Sequence, residues 1–344
     1  MLTYGNAPQQ LADVAVVMPT VLRPTLLRAV RSVYTQRQVG RIHLLIGIDQ
    51  RQGDADQLDR LLAERPAHVA VTLLDLGYST SNRHGGYYPN TYSGSLRTIL
   101  SYAANSHYVA YLDDDDWWAR DHLSSLLAAV NGREWAFSYR WLVDRDTGWI
   151  ICRDEWDSVG PGRGINLEKF GGFVSPSNLL ISKNCGHFIF PHWSLAGFAN
   201  GSGEDRLIFA ELLKVPSWAS TGRHTCFYEI SREHLSHPHH ARELEARDIR
   251  WLNDPALMAD VLRLAAEATV ALKSGDAAAA KAASEQALAL HPCHIPDMHC
   301  LARAEWSLGH GAAARDAIDH ALELEDGNAT IIATWQELHG RATS

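Results

Sequence analysis

The run YVAYLDDDDWW at residues 108–118 constrains this chain more than any other stretch, because an apolar strand candidate delivers four consecutive aspartates at its carboxyl end. Adjacent carboxylates repel one another unless they are solvated, protonated or bridged by a cation. A hard divalent ion is the natural partner: Mg²⁺ or Mn²⁺ held by one or two carboxylates keeps coordination positions open for diphosphate oxygens. Asp113 and Asp115 form a D-x-D pair for such an ion, with Asp114 between them. Taken alone, the run also reads as a helix cap at Asp116 beside a solvated acidic face. Its surroundings distinguish the two.

Those surroundings alternate strand and helix. VAVVMP from Val14 ends at Pro19, and Leu26, Leu27, Val30 and Val33 then mark one helical face. IHLLIGID at 42–49, a polar helix candidate at 54–64 and VAVTLLD at 69–75 continue the pattern, followed by a loop rich in Gly, Tyr and Asn and a helix through Ala104. Short apolar strands alternating with helices predict an α/β domain with a mostly parallel, doubly wound sheet, whose ligands bind at the carboxyl ends of strands. Beyond Asn131 the pattern is less regular, with a hairpin expected to turn at 146–148 and a Gly-rich stretch at 160–172.

At 344 residues the chain exceeds the size at which one core usually stops growing, so two domains are expected. Composition shifts near Pro255 to Ala-rich helical sequence, placing the domains at 1–245 and 255–344. Within the tail, Ala268, Gly275, Ala280, Ala283, Ala287 and Leu288 recur 34 residues later as Ala302, Gly309, Ala314, Ala317, Ala321 and Leu322. Small residues where helices touch and glycine at the turn, at that period, resemble tetratricopeptide repeats. Two repeats and a last helix at 329–340 fall short of the roughly three repeats such arrays need alone. The small all-α domain is therefore expected to dock on the first domain, to dimerise, or to contact another protein.

The formal net charge of -9, without a long Lys or Arg block, argues against nucleic acid or an anionic membrane as partner. The N-terminus lacks a basic segment followed by an apolar one, and no apolar run approaches a bilayer span, so no integral membrane segment is expected. Five scattered cysteines without CxxC pairs suit a reducing, cytoplasmic setting. The His- and Cys-rich HPCHIPDMHC at 291–300 lacks the spacing of a structural zinc site and reads as a loop between repeats.

YVAYLDDDDWW, together with LRTILSYAANSHYVAYLDDDD and VVMPTVLRPTLLRAVRSVYTQ, resembles glycosyltransferase family 2, of the Rossmann-like GT-A fold, over roughly residues 13–235. The resemblance implies that Pro19 and Thr20 cup a nucleotide, with Arg23 as a further polar contact. It implies that Asp49 reads uracil or ribose, that Asp113 and Asp114 contact the donor, and that Asp113 and Asp115 hold Mn²⁺ or Mg²⁺. Where the family shows Ala-Arg-Asn ahead of the acid run, this chain keeps Arg97, as a contact to base or phosphate, but departs at Thr98 and at Leu100.

In GSGEDRLIFAELL at 201–213 the resemblance makes Asp205 the general base and Glu204 its supporting acid, after a glycine loop and near Trp193 and Phe198 for sugar faces. It also offers a late histidine as metal ligand, either His234 or His237. The implied activity is an inverting, metal-dependent transfer of sugar from a nucleoside diphosphate, expected to be UDP, to an unknown acceptor. The rival of another class is a non-catalytic adaptor that senses a nucleotide sugar and binds a protein through its repeats. A sugar-nucleotide pyrophosphorylase would need a Gly-rich basic loop that PTVLRPT lacks.

Overall fold

The computed structural model describes residues 1–5, 10–231, 238–249 and 255–340. The chain forms two compact units: 1–140 with 154–228, and 141–153 with 229–344.

The first unit is built on a mixed sheet. Its strands are β1 (Leu2–Tyr4), β2 (Ala12–Thr20), β3 (Ile42–Ile48), β4 (Val69–Asp75), β5 (Ser106–Tyr111), β6 (Trp117–Trp118) and β7 (Trp135–Asp144). β8 (Ile150–Arg153), β9 (Gly160–Pro161), β10 (Gly172–Phe173), β11 (Leu179–Ser182) and β12 (Trp218–Ile230) follow. The main sheet runs β1-β4-β3-β2-β5-β11-β7-β12-β6, with β8 paired to β7, while β9 and β10 form a ribbon of their own.

β4, β3, β2 and β5 are parallel, and β11 then enters antiparallel to both β5 and β7. The strand order reverses between β2 and β5. A crevice opens at their carboxyl ends, as it does wherever crossover connections leave a parallel sheet in opposite directions. Thr20 ends β2 and Asp113 follows β5, so both motifs reach this crevice.

The continuous apolar run of β2 is explained by burial on both faces. Val14, Val16 and Met18 face a core with Leu26, Val30 and Val33 of α1 (Leu26–Tyr34), Leu61 of α2 (Asp56–Glu64) and Leu123 of α4 (His122–Ala129). Ala15 and Val17 face the opposite core, with Leu96 and Leu100 of α3 (Gly94–Ala103). α5 (Leu167–Phe170) and α6 (Lys183–Ile189) lie in the later, less regular part of the unit. Ile208, Phe209 and Leu212 of α7 (Glu204–Leu213) complete the second core. A side chain of this kind is worth about 1.5–3 kcal/mol when fully buried, which fixes the ends of β2, β5 and α7 firmly enough to carry chemistry.

Among the described residues, the second unit contains the ends of β7 and β12, β8, and the helices α8 (Pro238–Ala246), α9 (Pro255–Ser274), α10 (Ala277–Leu290), α11 (Ile295–Ser307), α12 (Gly311–Leu324) and α13 (Ala329–Gly340). The β7–β8 turn is organised by Asp144, whose Oδ1 accepts from Asp146 N, Thr147 N and the Thr147 hydroxyl, with Gly148 at φ +71°. Trp149 of this hairpin stacks on His291 at 4.9 Å. From α9 to α13, successive helices pack side by side.

The 34-residue recurrence has a direct structural meaning. Ala268 and Ala302, Ala280 and Ala314, and Ala287 and Ala321 are all fully buried, so each pair lets helices approach closely. Gly275 and Gly309 take the left-handed conformation, at φ +84° and +83°, where the chain turns between paired helices. Among the described residues, no helix is long and apolar enough to cross a membrane.

An alanine at Gly309 would meet no atom within 4 Å, so its cost is conformational alone. Urea unfolding of Gly309→Ala should therefore show a loss of about 1–2 kcal/mol from holding a Cβ residue at that φ. An unchanged midpoint would mean that the turn does not impose this conformation.

Candidate active site

β5 ends at Tyr111, and the aspartates after it form a tight turn in which the Asp116 N–H donates to the Asp113 carbonyl at 3.1 Å. Asp113 and Asp115 are directed outward, their side chains 27% and 24% exposed, whereas Asp114 and Asp116 are buried. Each of the inward pair accepts from a hydroxyl. Thr20 Oγ1 donates to Asp114 Oδ2 at 2.6 Å and accepts from Leu22 N at 2.8 Å. Ser177 Oγ donates to Asp116 Oδ2 at 2.6 Å and accepts from Asp113 N at 3.2 Å.

Burial pushes Asp114 up to about 6; Arg23 opposes the shift and Asp115 adds to it. Asp116 is raised further, again by burial first and then by Asp115 and Asp113.

The outward pair meets arginines. Arg23 Nη1 donates to Asp115 Oδ2 at 2.7 Å and to Asp114 Oδ1 at 3.2 Å. Arg28 donates to the Asp115 carbonyl at 3.1 Å and lies 3.7 Å over the Trp117 ring. Arg97, from α3, donates through Nη2 to Asp113 Oδ1, and its Nη1 lies 3.5 Å from Glu204 Oε1. The sequence places Glu204 and Asp205 far from the aspartate run; the fold brings Glu204 to it through a single guanidinium.

α7 begins after Gly203, at φ +89°, a conformation that a side chain would strain, where an added Cβ would also stand 2.6 Å from the Phe198 ring. Glu204 is buried and pushed up to about 7, by desolvation first and by Asp205 second, with Arg97 pulling the other way. Asp205 Oδ1 accepts from Arg206 N at 2.7 Å, and its carboxyl is raised by burial, against Arg206. Arg206 lies 3.3 Å over the Phe173 ring and 3.8 Å from Asp157, which also receives Arg140.

The remaining sequence-derived candidates fall as follows. Pro19 is buried within β2, opposite Gly47 of β3. Asp49 follows β3 directly, its backbone N–H donating to the Thr20 carbonyl at 2.9 Å. Its carboxylate is engaged by the loop after β4, accepting from Ser79 Oγ at 2.8 Å, Thr80 N at 3.0 Å and Thr80 Oγ1 at 3.2 Å. A cavity of about 770 Å³ opens beside it, lined among others by Arg51, Asp75, His84, Tyr87 and Tyr88. His234 and His237 lie outside the described residues.

Sequence reasoning did not single out Ser177, Ser79, Thr80 or Arg28. Ser177 had one available signal: the polar SPSN ahead of the short apolar LLIS, which is β11.

Neither a protein-family model nor a curated protein sequence matches the chain. Among solved structures it is similar to TarS of S. aureus, at 12% identity and a TM-score of 0.47, with 95% of this chain covering 55% of that one. TarS 1–349 in complex with UDP is similar at 10% identity and a TM-score of 0.46, and its complex with UDP-GlcNAc at 11% and 0.47; each match covers 95% of this chain and 90% of that one. Identities this low transfer no residue role.

Glu204 and Asp114 bind protons more tightly in the folded chain than in the unfolded one, so their contribution to stability falls as pH rises from the ordinary carboxylate range through 7. Thermal midpoints measured from pH 5 to pH 8 should decline, and Glu204→Gln should flatten the upper part of that slope. A Glu204→Gln profile parallel to wild type would show that Glu204 titrates normally.

Proposed function

We propose that the first unit is an inverting, metal-dependent glycosyltransferase that takes a sugar from a nucleoside diphosphate, with UDP the expected nucleotide, and passes it to an acceptor hydroxyl or other nucleophile. The observation that carries this reading is the approach of the outward Asp113 and the buried Glu204 to one guanidinium, that of Arg97, beside the crevice between β2 and β5.

The residues fit a hard divalent ion. Asp113 and Asp115 offer two oxygen donors on one side of the strand end, leaving the other positions to phosphate and water, as Mg²⁺ and Mn²⁺ prefer. Bound there, the ion would neutralise the charge that builds on the departing diphosphate. Thr20 and Arg23 both bond Asp114, and the 45% exposure of the Arg23 side chain supports reading it as a phosphate contact as well. The cavity beside Asp49 has room for a nucleoside, and Tyr87 and Tyr88 offer aromatic faces to a base.

Inversion requires a base opposite the leaving group that takes the acceptor proton as the new bond forms. Asp205 has that role, with its carboxylate oriented by the Arg206 N–H, while Glu204 supports it. Burial raises its proton affinity, which suits a general base working near neutral pH. We read the second unit as a tetratricopeptide-like array that contacts a protein, on the strength of its buried alanine pairs and left-handed glycines in 34-residue register.

The test needs no acceptor. Purified protein incubated with UDP-, GDP- and TDP-sugars and Mn²⁺ should slowly release nucleotide from one donor, and a chelator should stop the release. Asp115→Ala should lower the rate by about 10² to 10³-fold, in the range of losing one electrostatic partner of a transition state. No release from any donor, with no nucleotide binding by calorimetry, would overturn the transferase reading in favour of an adaptor.

Once an acceptor is found, Asp205→Asn should lower kcat by about 10² to 10⁴-fold while donor affinity is kept. Full activity in that variant would move the base elsewhere.

A further inference from the structure

Arg97 stands where the donor-side and acceptor-side acids meet, and its pairing is incomplete at both ends. The residue is 6% exposed, with the Trp193 ring 5.2 Å from its guanidinium carbon forming one wall. Nη2 serves Asp113 and Nη1 reaches Glu204 at 3.5 Å. Arg97 Nε and Glu204 Oε2 are both buried and have no hydrogen-bond partner among the described residues. A guanidinium pairs best as a fork, with two parallel bonds to one carboxylate. Drawn between two acids, it completes a fork with neither.

We propose that Arg97 is a positioning residue acting as a counter-ion shared between Asp113 and Glu204, so that drawing Asp113 onto a cation hands the guanidinium to Glu204. The orphaned Oε2 is the group that an end-on fork would satisfy, with Nη1 and Nη2 both on Glu204 once Nη2 leaves Asp113. This rests on the transferase reading and adds a coupling to it: a cation drawn onto Asp113 changes the pairing of Glu204. It also gives Arg97 a different task from contact with base or phosphate.

The experiment is a cycle on Mn²⁺ affinity, followed by paramagnetic resonance at pH 8 with the full chain in four forms: wild type, Glu204→Gln, Arg97→Gln and the double variant. With Arg97 present, Glu204→Gln leaves the guanidinium wholly to Asp113 and should weaken Mn²⁺ by about fivefold, within the coupling expected of contacting residues. With Arg97→Gln, the same change should alter affinity by no more than about twofold, as for independent sites. Equal losses in both backgrounds would overturn the proposal, because they would reflect only the missing charge of Glu204. Arg97→Lys keeps a charge but cannot span both acids, and serves in the same cycle should Arg97→Gln fail to fold.

If wild type binds no Mn²⁺, the metal part of the transferase reading falls, and urea unfolding decides this proposal separately. A shared counter-ion requires Asp113→Asn with Glu204→Gln to cost more than the two single losses together, since only the pair strips the buried guanidinium of both partners. Strict additivity would overturn it.

Discussion

Four carboxylates in a row on one strand end are an electrostatic problem, and the architecture of the crevice follows from how it is solved. The turn that follows β5 directs two inward, where the hydroxyls of Thr20 and Ser177 donate hydrogen bonds to their carboxyl oxygens. The other two are directed outward, each facing an arginine, Arg23 or Arg97. Thr20 comes from β2 and Ser177 from the turn before β11, so the two neighbours of the acid strand are tied to it by the same device. An isolated acidic pair would lack that bracing, and its geometry would depend on whatever it bound.

Much of the first unit was legible because its strands are buried on both faces and its helices on one. The runs ending at Pro19, Asp49 and Asp75 are apolar for a reason that does not depend on partners far away in sequence, and the acid run after β5 is recognisable from its clustering alone. β11 was not legible: LLIS has four residues, no alternation, and a partner on each side from distant strands. The parallel strands and the local β7–β8 hairpin are therefore readable from the sequence, whereas β11, whose partners lie far away along the chain, is not.

The same distinction governs the site. The identity of the acids could be read from their clustering at an element's end. Their partners could not, because hydrogen bonds such as Thr20 to Asp114 and Ser177 to Asp116 join residues 94 and 61 positions apart. Arg97 shows the difference most clearly: its position relative to the aspartates is a local spacing, but its approach to Glu204 across 107 residues is a product of core packing around Leu96, Leu100 and Phe209. Asp49 is the converse, a locally readable strand-end acid whose oxygens are taken up by a loop thirty residues on.

The second unit is discontinuous, since the hairpin at 141–153 belongs with helices that begin after residue 237. During synthesis that hairpin leaves the ribosome well before the segment carrying His291, on which Trp149 stacks. At about 5–20 residues per second the interval is several seconds to half a minute. Throughout it, Trp149 has no ring to rest on. The helical unit is therefore not an appendage whose folding can be scheduled after the rest is finished: part of its core is committed to the chain early, and a cut placed ahead of the helices would strand it.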